Sequence, residues 1–113
     1  GLLGKRSVFA HGIHLCDEEC DRLAKTDSAI AHCPTSNLFI GSGLFPMKKL
    51  QDYGIKIGMG TDVGGGTSFS MLHTLADGYK MQQLKGHNIS PEQSLYLATL
   101  GGAKALAHYN ALL

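Results

Sequence analysis

Short apolar runs alternate with longer amphipathic segments along this chain. The runs cover residues 7–10, 28–33 and 55–59, each is stopped by glycine or proline, and their length is typical of buried β-strands. Helical spacing of apolar residues predicts helices over Asp17–Lys25, over residues 47–53 and over residues 70–85, and another helix begins at Ser90. The pattern therefore predicts a strand, a polar loop and a helix, three times in succession, with one extra helix.

The two C-terminal helices carry the clearest helical signals. Ser90 is followed by Pro91 and Gln93, the arrangement of a capping box at a helix start. The residues expected to face the core are apolar or small and recur at helical spacing: Leu72, Leu75, Ala76 and Tyr79 in the first helix, and Leu95, Ala98, Thr99 and Gly102 in the second.

The spacing of the three predicted strands bears on the fold class. They end near residues 11, 32 and 62, and the units of a (β/α)₈ barrel average about 31 residues. An α/β fold is expected, with the three units forming an arc of a larger barrel. A free-standing three-stranded parallel sheet is the structural alternative, but both of its edges would be open.

Composition narrows the class of protein. The chain has 113 residues, of which 43% are hydrophobic and 17% charged, with a formal net charge of +1. These values are typical of a globular domain, and no basic patch favours a nucleic-acid partner. No apolar stretch approaches the roughly 20 residues of a membrane span. The N-terminus "GLLGKRSV" has no secretory apolar region and does not begin with Met, so the chain is expected to be part of a longer protein.

The chain contains three cysteines, Cys16, Cys20 and Cys33. An odd number without regular spacing argues against a secreted disulfide framework. Cys16 and Cys20 lie four residues apart and could bind metal from one helix face, but no second Cys/His pair has zinc-site spacing. Buried or half-buried free thiols are expected instead, and they favour a cytoplasmic location.

The candidate chemistry lies at the ends of the first and third strands, where His11 precedes Gly12 and Asp62 stands within the glycine-rich segment 58–66. The carboxyl ends of parallel strands converge on the active site of a barrel. There a carboxylate can bind a divalent metal and a nearby imidazole can polarise a water molecule. Two structural alternatives stay open: His11 as a core histidine bonded to backbone, and Asp62 as the cap of the following helix.

The remaining histidines are weaker candidates. His32 also ends a strand, but Cys33 and Pro34 follow it, which favours a structural or supporting role. His14 falls in the loop after His11. Helical or turn contexts predict surface positions for three others: His73, His87 and His108.

The glycine-rich segment "GMGTDVGGG" (residues 58–66) invites comparison with a phosphate-binding loop. No Gly-Lys-Ser/Thr follows it, which excludes a Walker A loop, and the third glycine of G-x-G-x-x-G is missing. Asp62 would also repel a pyrophosphate. The segment is therefore expected to present a carboxylate at a strand end.

Three motifs in order make a family resemblance specific: "SVFAHG" (7–12), "IAHCPTSN" (30–37) and "GMGTD" (58–62). Together they resemble the deaminase branch of the amidohydrolase superfamily. Within that branch, "SNLFIGSGLF" (36–45) and "GTDVGGGTSFSML" (60–72) are similar to the guanine deaminases. "YLATLGGAKAL" (96–106) is similar to the helix that follows the barrel strands, so the resemblance covers essentially the whole chain.

The resemblance implies a partial (β/α)₈ TIM-type metal-dependent hydrolase barrel, in which residues 1–113 supply strands six to eight and their helices. His11 would be the catalytic strand-six histidine that helps to activate the attacking water. Asp62 would ligate Zn²⁺ and take a proton from that water, and both side chains would contact a purine. The implied reaction converts guanine to xanthine and ammonia in a homodimeric enzyme, and Gly64, Gly65 and Gly66 would let the loop pass close to the purine ring.

The chain also departs from the family pattern. The H-x-H of strand one, the strand-five histidine and the acidic residue near strand five have no counterpart here, so the chain alone is expected to be inactive. "ALAHYN" (105–110) stands where relatives usually continue with glycine. Two rival functions stay open: another aminohydrolase acting on a purine, pterin or triazine, and a non-catalytic module that binds a ligand or partner through the glycine-rich loop.

Overall fold

The computed structural model describes residues 1–107 of the chain. They form three short strands and six helices: β1 (Val8–Ala10), α1 (Asp17–Lys25), β2 (Ala29–His32), α2 (Pro34–Ile40), α3 (Met47–Asp52), β3 (Lys56–Met59), α4 (Met71–Leu84), α5 (Pro91–Ala98) and α6 (Leu100–Ala105). The predicted alternation of strand and helix is confirmed. Within the described range, no helix has the length and apolar character needed to cross a bilayer.

The strands form one parallel sheet in the order β1-β2-β3. Phe9 pairs with Ile30, which in turn pairs with Ile57, so apolar residues run across the sheet. Near-continuous apolar runs are typical of parallel strands, and the central strand β2 is more buried than β1 and β3. All three strands present their carboxyl ends to the same edge of the sheet.

The core fills the space between the sheet and the helices. Its members are almost fully buried and mostly large and apolar: Cys20, Leu23, Ile30, Phe45, Met47, Leu50, Ile55, Ile57, Met81, Ile89 and Leu97. Met81 reaches the core from α4, and its sulfur lies 3.1 Å from the backbone nitrogen of Phe45. Residues from all parts of the described chain therefore share one core.

Helix α2 is an element that the pattern does not predict. Pro34 ends β2 and at the same time occupies the first turn of α2, where a proline is tolerated because it needs no N–H donor. The helix begins with a polar run and yet buries it: Thr35, Ser36 and Asn37 are each at most 2% exposed. Polar residues on the inner side of a helix give no apolar periodicity, and so the helix is hidden from sequence analysis.

The predicted inner face of α4 is confirmed only for Leu75 and is otherwise wrong. Leu72 is 73% exposed and Tyr79 is also exposed. The buried positions are instead Thr74, Leu75, Gly78, Met81 and Gln82. Gly78 lies on this buried side, where a Cβ atom would stand in ordinary contact with Met59 and Pro34, so the helix packs against β3 and α2 there.

The C-terminal helical segment is divided in two. The capping box is confirmed, since the Ser90 hydroxyl accepts a hydrogen bond from the Gln93 N–H while Gln93 accepts one from the Ser90 N–H. The chain then breaks at Thr99, which separates α5 from α6. Leu95 is exposed and Leu97 is the buried residue of α5, so the predicted inner face is wrong here too.

Candidate active site

His11 and Asp62 meet at the carboxyl edge of the sheet. His11 directly follows β1, whereas Asp62 lies in the loop beyond the end of β3 at Met59, not at the strand end itself. Nε2 of His11 and Oδ2 of Asp62 are 3.6 Å apart, and the two side chains are 43% and 40% exposed. Both residues have left-handed backbone conformations, with φ of 70° and 46°. Such conformations cost on the order of 1 kcal/mol or more and cluster at functional sites.

A buried amide holds the imidazole of His11. Nδ1 of His11 lies 2.9 Å from Oδ1 of Asn37, which is 1% exposed. The backbone N–H of His11 donates to the carbonyl of Ala31. An amide oxygen only accepts hydrogen bonds, so Nδ1 is the donor of this pair, and Nε2 is the ring nitrogen that faces Asp62.

The imidazole of His11 bonds to a side chain, that of Asn37, and not to backbone. This argues against the alternative in which His11 is a core histidine bonded to backbone. Sequence analysis missed Asn37, although its motif "HCPTSN" was singled out. The signal that could have found it is the polar run directly behind a strand-ending proline.

Hydrogen bonds from α2 and from the loop itself fix the backbone around Asp62. The Thr35 hydroxyl donates to the carbonyl of Thr61 at 3.1 Å, and the Gly66 N–H donates to the carbonyl of Asp62 at 2.6 Å. The Gly60 N–H donates to the carbonyl of His32 and continues the sheet pattern one residue beyond β3. The carboxylate is therefore presented from a tightly bonded loop and does not cap α4, whose N-cap is Ser70.

Two of the three consecutive glycines have a structural reason that differs from the expected one. A Cβ atom at Gly66 would overlap the Thr61 carbonyl oxygen, and one at Gly65 would lie 2.8 Å from Oγ of Ser36. Both glycines are therefore required by the protein's own packing. Gly64 differs, because its surroundings are open and its φ of 118° belongs to glycine.

The donor atoms at this edge could supply some of the ligands of a divalent metal, but not a complete set. In the described residues, one group of potential ligands stands together: His11, Cys33 and Asp62, with donor atoms within 4.8 Å of one another. Ligands of a tetrahedral zinc ion with bonds of about 2.0–2.1 Å lie roughly 3.3 Å apart. The 3.6 Å between His11 and Asp62 fits that spacing. Residues 1–107 thus offer a carboxylate and an imidazole, but a structural or catalytic zinc site needs three or four protein ligands.

Cys33 is a neighbour of the site that sequence analysis did not anticipate. Burial, and secondly the Asp62 carboxylate, raise the pKa of its thiol, so the sulfur stays protonated beside the charge. The other two cysteines do not form a pair: Cys20 is buried in the core, while Cys16 is exposed at the N-cap of α1. The expectation of buried or half-buried thiols is therefore wrong for Cys16.

His32 is fully buried, in agreement with a structural position. Its ring stacks on Phe45 with centroids 4.1 Å apart, and neither ring nitrogen has a hydrogen-bond partner among the described residues. Burial lowers the pKa of His32 from 6.5 to about 3, because the charged form would lose its hydration. His32 is therefore a neutral core residue at neutral pH.

The other histidines lie away from this edge or at its rim. Nε2 of His14 lies 2.9 Å from the carbonyl oxygen of Ser42. His73 is exposed on α4, as expected, and lies 3.5 Å from Asp77. His87 is half-buried, with Nε2 inaccessible, so its predicted surface position is wrong. His108 and the end of the "ALAHYN" segment lie outside the described residues.

Comparisons with known proteins place this geometry in a family. Residues 1–110 match the Amidohydrolase family. The chain is 58% identical over 106 residues to guanine deaminase from Escherichia coli (strain K12), covering 94% of this chain and 24% of that protein. It is 50% identical to a probable guanine deaminase from Deinococcus radiodurans, covering 94% of this chain and 25% of that protein. The chain thus spans about a quarter of the length of these relatives.

Solved structures agree with the sequence relatives. E. coli guanine deaminase superimposes with a TM-score of 0.96 at 55% identity, over 97% of this chain and 26% of that one. Guanine deaminase from C. acetobutylicum with bound guanine superimposes with a TM-score of 0.87 at 30% identity, over 94% of this chain and 27% of that one. An adenosine deaminase from Xanthomonas campestris with bound zinc superimposes with a TM-score of 0.86 at 27% identity, over 96% of this chain and 26% of that one. With nearly its whole length matched, the chain belongs to the amidohydrolase family.

Proposed function

We propose that the full-length protein that contains this chain hydrolyses guanine to xanthine and ammonia with the help of a zinc ion. The observation that carries the proposal is the pair of His11 and Asp62, whose side chains face each other at 3.6 Å at the carboxyl edge of a parallel sheet. Barrel enzymes build their active sites at this edge. The identity to two guanine deaminases, and the guanine bound to a third, support the choice of substrate.

In this proposal, residues 1–113 are the C-terminal part of the catalytic barrel, and β1, β2 and β3 are its sixth, seventh and eighth strands. The parallel order of the three strands supports this placement, as does the quarter share of the relatives' length. The chain by itself would then be inactive, because one carboxylate and one imidazole do not make a closed zinc site. The homodimer that the resemblance implies and the cytoplasmic location that the free thiols favour stay predictions.

Asp62 would hold the metal and serve as the base. A zinc ion lowers the pKa of a water molecule toward neutrality and so supplies a nucleophile. The Asp62 carboxylate is half-exposed and anchored by its loop, so it can take one proton from the attacking water and pass it to the departing amine.

Nδ1 of His11 is hydrogen-bonded to Asn37, and Nε2 would accept a hydrogen bond from the same water and orient it. The oxygen forms a bond to the purine carbon that bears the exocyclic amine. The bond from that carbon to nitrogen then breaks, and ammonia leaves with the transferred proton.

Two substitutions in the full-length protein test these roles. Asp62→Ala is expected to lose both bound metal and activity, because it removes a ligand and the base. His11→Ala is expected to keep the metal and lower kcat about 10²–10⁴-fold, the usual contribution of an acid–base group. Metal content is measured by elemental analysis, and turnover by ammonia release.

A second histidine–carboxylate pair provides matched controls. His73 and Asp77 on α4 are 3.5 Å apart, and we expect His73→Ala and Asp77→Ala to retain both metal and activity. Equal loss of metal in the His11 and Asp62 variants would show that His11 is a ligand. A panel of guanine, adenine, a pterin and a triazine tests the substrate, and preference for any amine other than guanine would refute that part of the proposal.

A further inference from the structure

We propose that Asn37 is a positioning residue for the reaction: its side-chain oxygen fixes the tautomer and the orientation of His11. This inference rests on the proposed function for its kinetic consequences, but the tautomer itself is a property of the protein alone. Among the described residues, the side chain of Asn37 hydrogen-bonds to His11 and not to Asp62. It would act only through the 2.9 Å hydrogen bond to Nδ1 of His11.

The backbone of Asn37 is fixed on both sides. Its N–H donates to the carbonyl of Cys33, and its own carbonyl accepts from the N–H groups of Gly41 and Ser42, where α2 ends in a left-handed glycine. The side chain is 1% exposed. An amide with no freedom to rotate into solvent presents its oxygen at one place, which is the condition for orienting a mobile partner.

Without the hydrogen bond to Asn37, little else would fix the orientation of the His11 ring. The side chain is 43% exposed, and its backbone lies in the left-handed region beside Gly12. A neutral imidazole in water exchanges its proton between the two nitrogens, and only the form with the proton on Nδ1 leaves Nε2 able to accept from water. The amide oxygen of Asn37 selects that form.

A purely structural role would not favour asparagine here. The Nδ2 group of Asn37 is buried and has no hydrogen-bond partner within residues 1–107. A buried donor without a partner destabilises a fold, and an apolar side chain of the same shape removes that penalty. The Nδ2 group of Asn37 therefore adds no hydrogen bond to the described fold, whereas Oδ1 orients the imidazole of His11.

The test compares Asn37→Leu and Asn37→Asp with Gln82→Leu in the full-length protein. Leucine removes the acceptor, aspartate keeps it, and Gln82 is a control amide, fully buried and bonded through Nε2 to the carbonyl of Phe45, away from the site. We expect Asn37→Leu to lower kcat about 10–100-fold, the usual effect of losing a supporting hydrogen bond. Its KM and metal content should stay within about twofold of the wild type, because substrate and metal contacts are untouched.

Aspartate should recover most of the lost kcat, and Gln82→Leu should keep the wild-type kcat. A wild-type kcat in Asn37→Leu, or an Asn37→Asp variant as impaired as Asn37→Leu, would overturn the proposal. Nitrogen-15 NMR of the histidine rings gives a readout that needs no substrate. The proton of His11 is expected on Nδ1 in the wild type, and a proton found on Nε2 would overturn the proposal even if guanine is turned over. Failure to turn over guanine with the Nδ1 proton in place would refute the proposed function alone.

Discussion

Replacing the buried His32 should remove a defined part of the acid sensitivity of the fold. Its ring stacks on Phe45, and burial lowers the pKa of His32 from 6.5 to about 3. The native state therefore keeps this imidazole neutral, while the unfolded chain takes up a proton below pH 6.5. The stability from the neutral ring is fully present above pH 6.5 and is lost progressively as the pH falls toward 3.

The size of the effect follows from the two pKa values. Each pH unit between them lowers the free energy of unfolding by about 1.4 kcal/mol, so the drop from pH 7.5 to pH 5.0 amounts to about 2 kcal/mol for this residue. His32→Leu abolishes the titration. At pH 7.5 the substitution should change stability by less than about 1.5 kcal/mol, because losing the stacking on Phe45 is offset by removing two buried nitrogens that have no hydrogen-bond partner within residues 1–107.

Urea unfolding of the full-length protein at both pH values measures this difference. The wild type should lose about 2 kcal/mol more than His32→Leu on going to pH 5.0. Gln82→Leu is the matched control, since it also replaces a buried polar side chain but removes no titrating group, and it should keep the wild-type pH dependence. If His32→Leu loses as much stability with acid as the wild type, the argument from burial is wrong.

Two further substitutions test local features of the fold. Gly66→Ala places a Cβ atom on the Thr61 carbonyl oxygen, so we expect a loss of about 1–3 kcal/mol in urea unfolding and a lower metal content. Gly4→Ala, whose Cβ would meet nothing closer than 4.0 Å, is the control, and equal behaviour of the two variants would contradict the packing argument. Ser90→Ala removes the capping hydroxyl of α5 and should lower the free energy of unfolding by about 1 kcal/mol, whereas Ser94→Ala inside the same helix should not. A Ser90 variant as stable as the Ser94 variant would show that the cap contributes little.

The errors of sequence analysis on α4 and α2 have a common cause. Apolar periodicity identifies a helix and the side of it that is rich in large side chains, but not which side meets the sheet. On α4 the buried side contains Thr74, Gly78 and Gln82, and Gly78 packs against Met59 and Pro34. On α2 the buried side is polar, because Thr35 and Asn37 bond to the site loops. In both cases the partner surface decides, and that surface is not encoded locally.

The candidate site also contains residues that the sequence could predict and residues that it could not. The place of His11 and Asp62 at one edge could be predicted, since each stands at or just beyond the end of an apolar strand, and parallel strands carry their carboxyl ends to one edge. The supporting residues could not be predicted. Asn37, Cys33 and Thr35 are placed against the two loops only when α2 folds across the strand ends.

The sequence by itself therefore determined the alternation of strands and helices, the capping of α5 and the two residues at the carboxyl edge, because these depend on neighbours a few positions apart. The tertiary structure alone decided that Nε2 of His11 faces Asp62, that an amide of α2 holds the opposite ring nitrogen, and that Gly65 and Gly66 are required by packing. Each of those facts is a distance between atoms far apart in the chain. Such distances are set by the packing of whole elements, which no local pattern specifies.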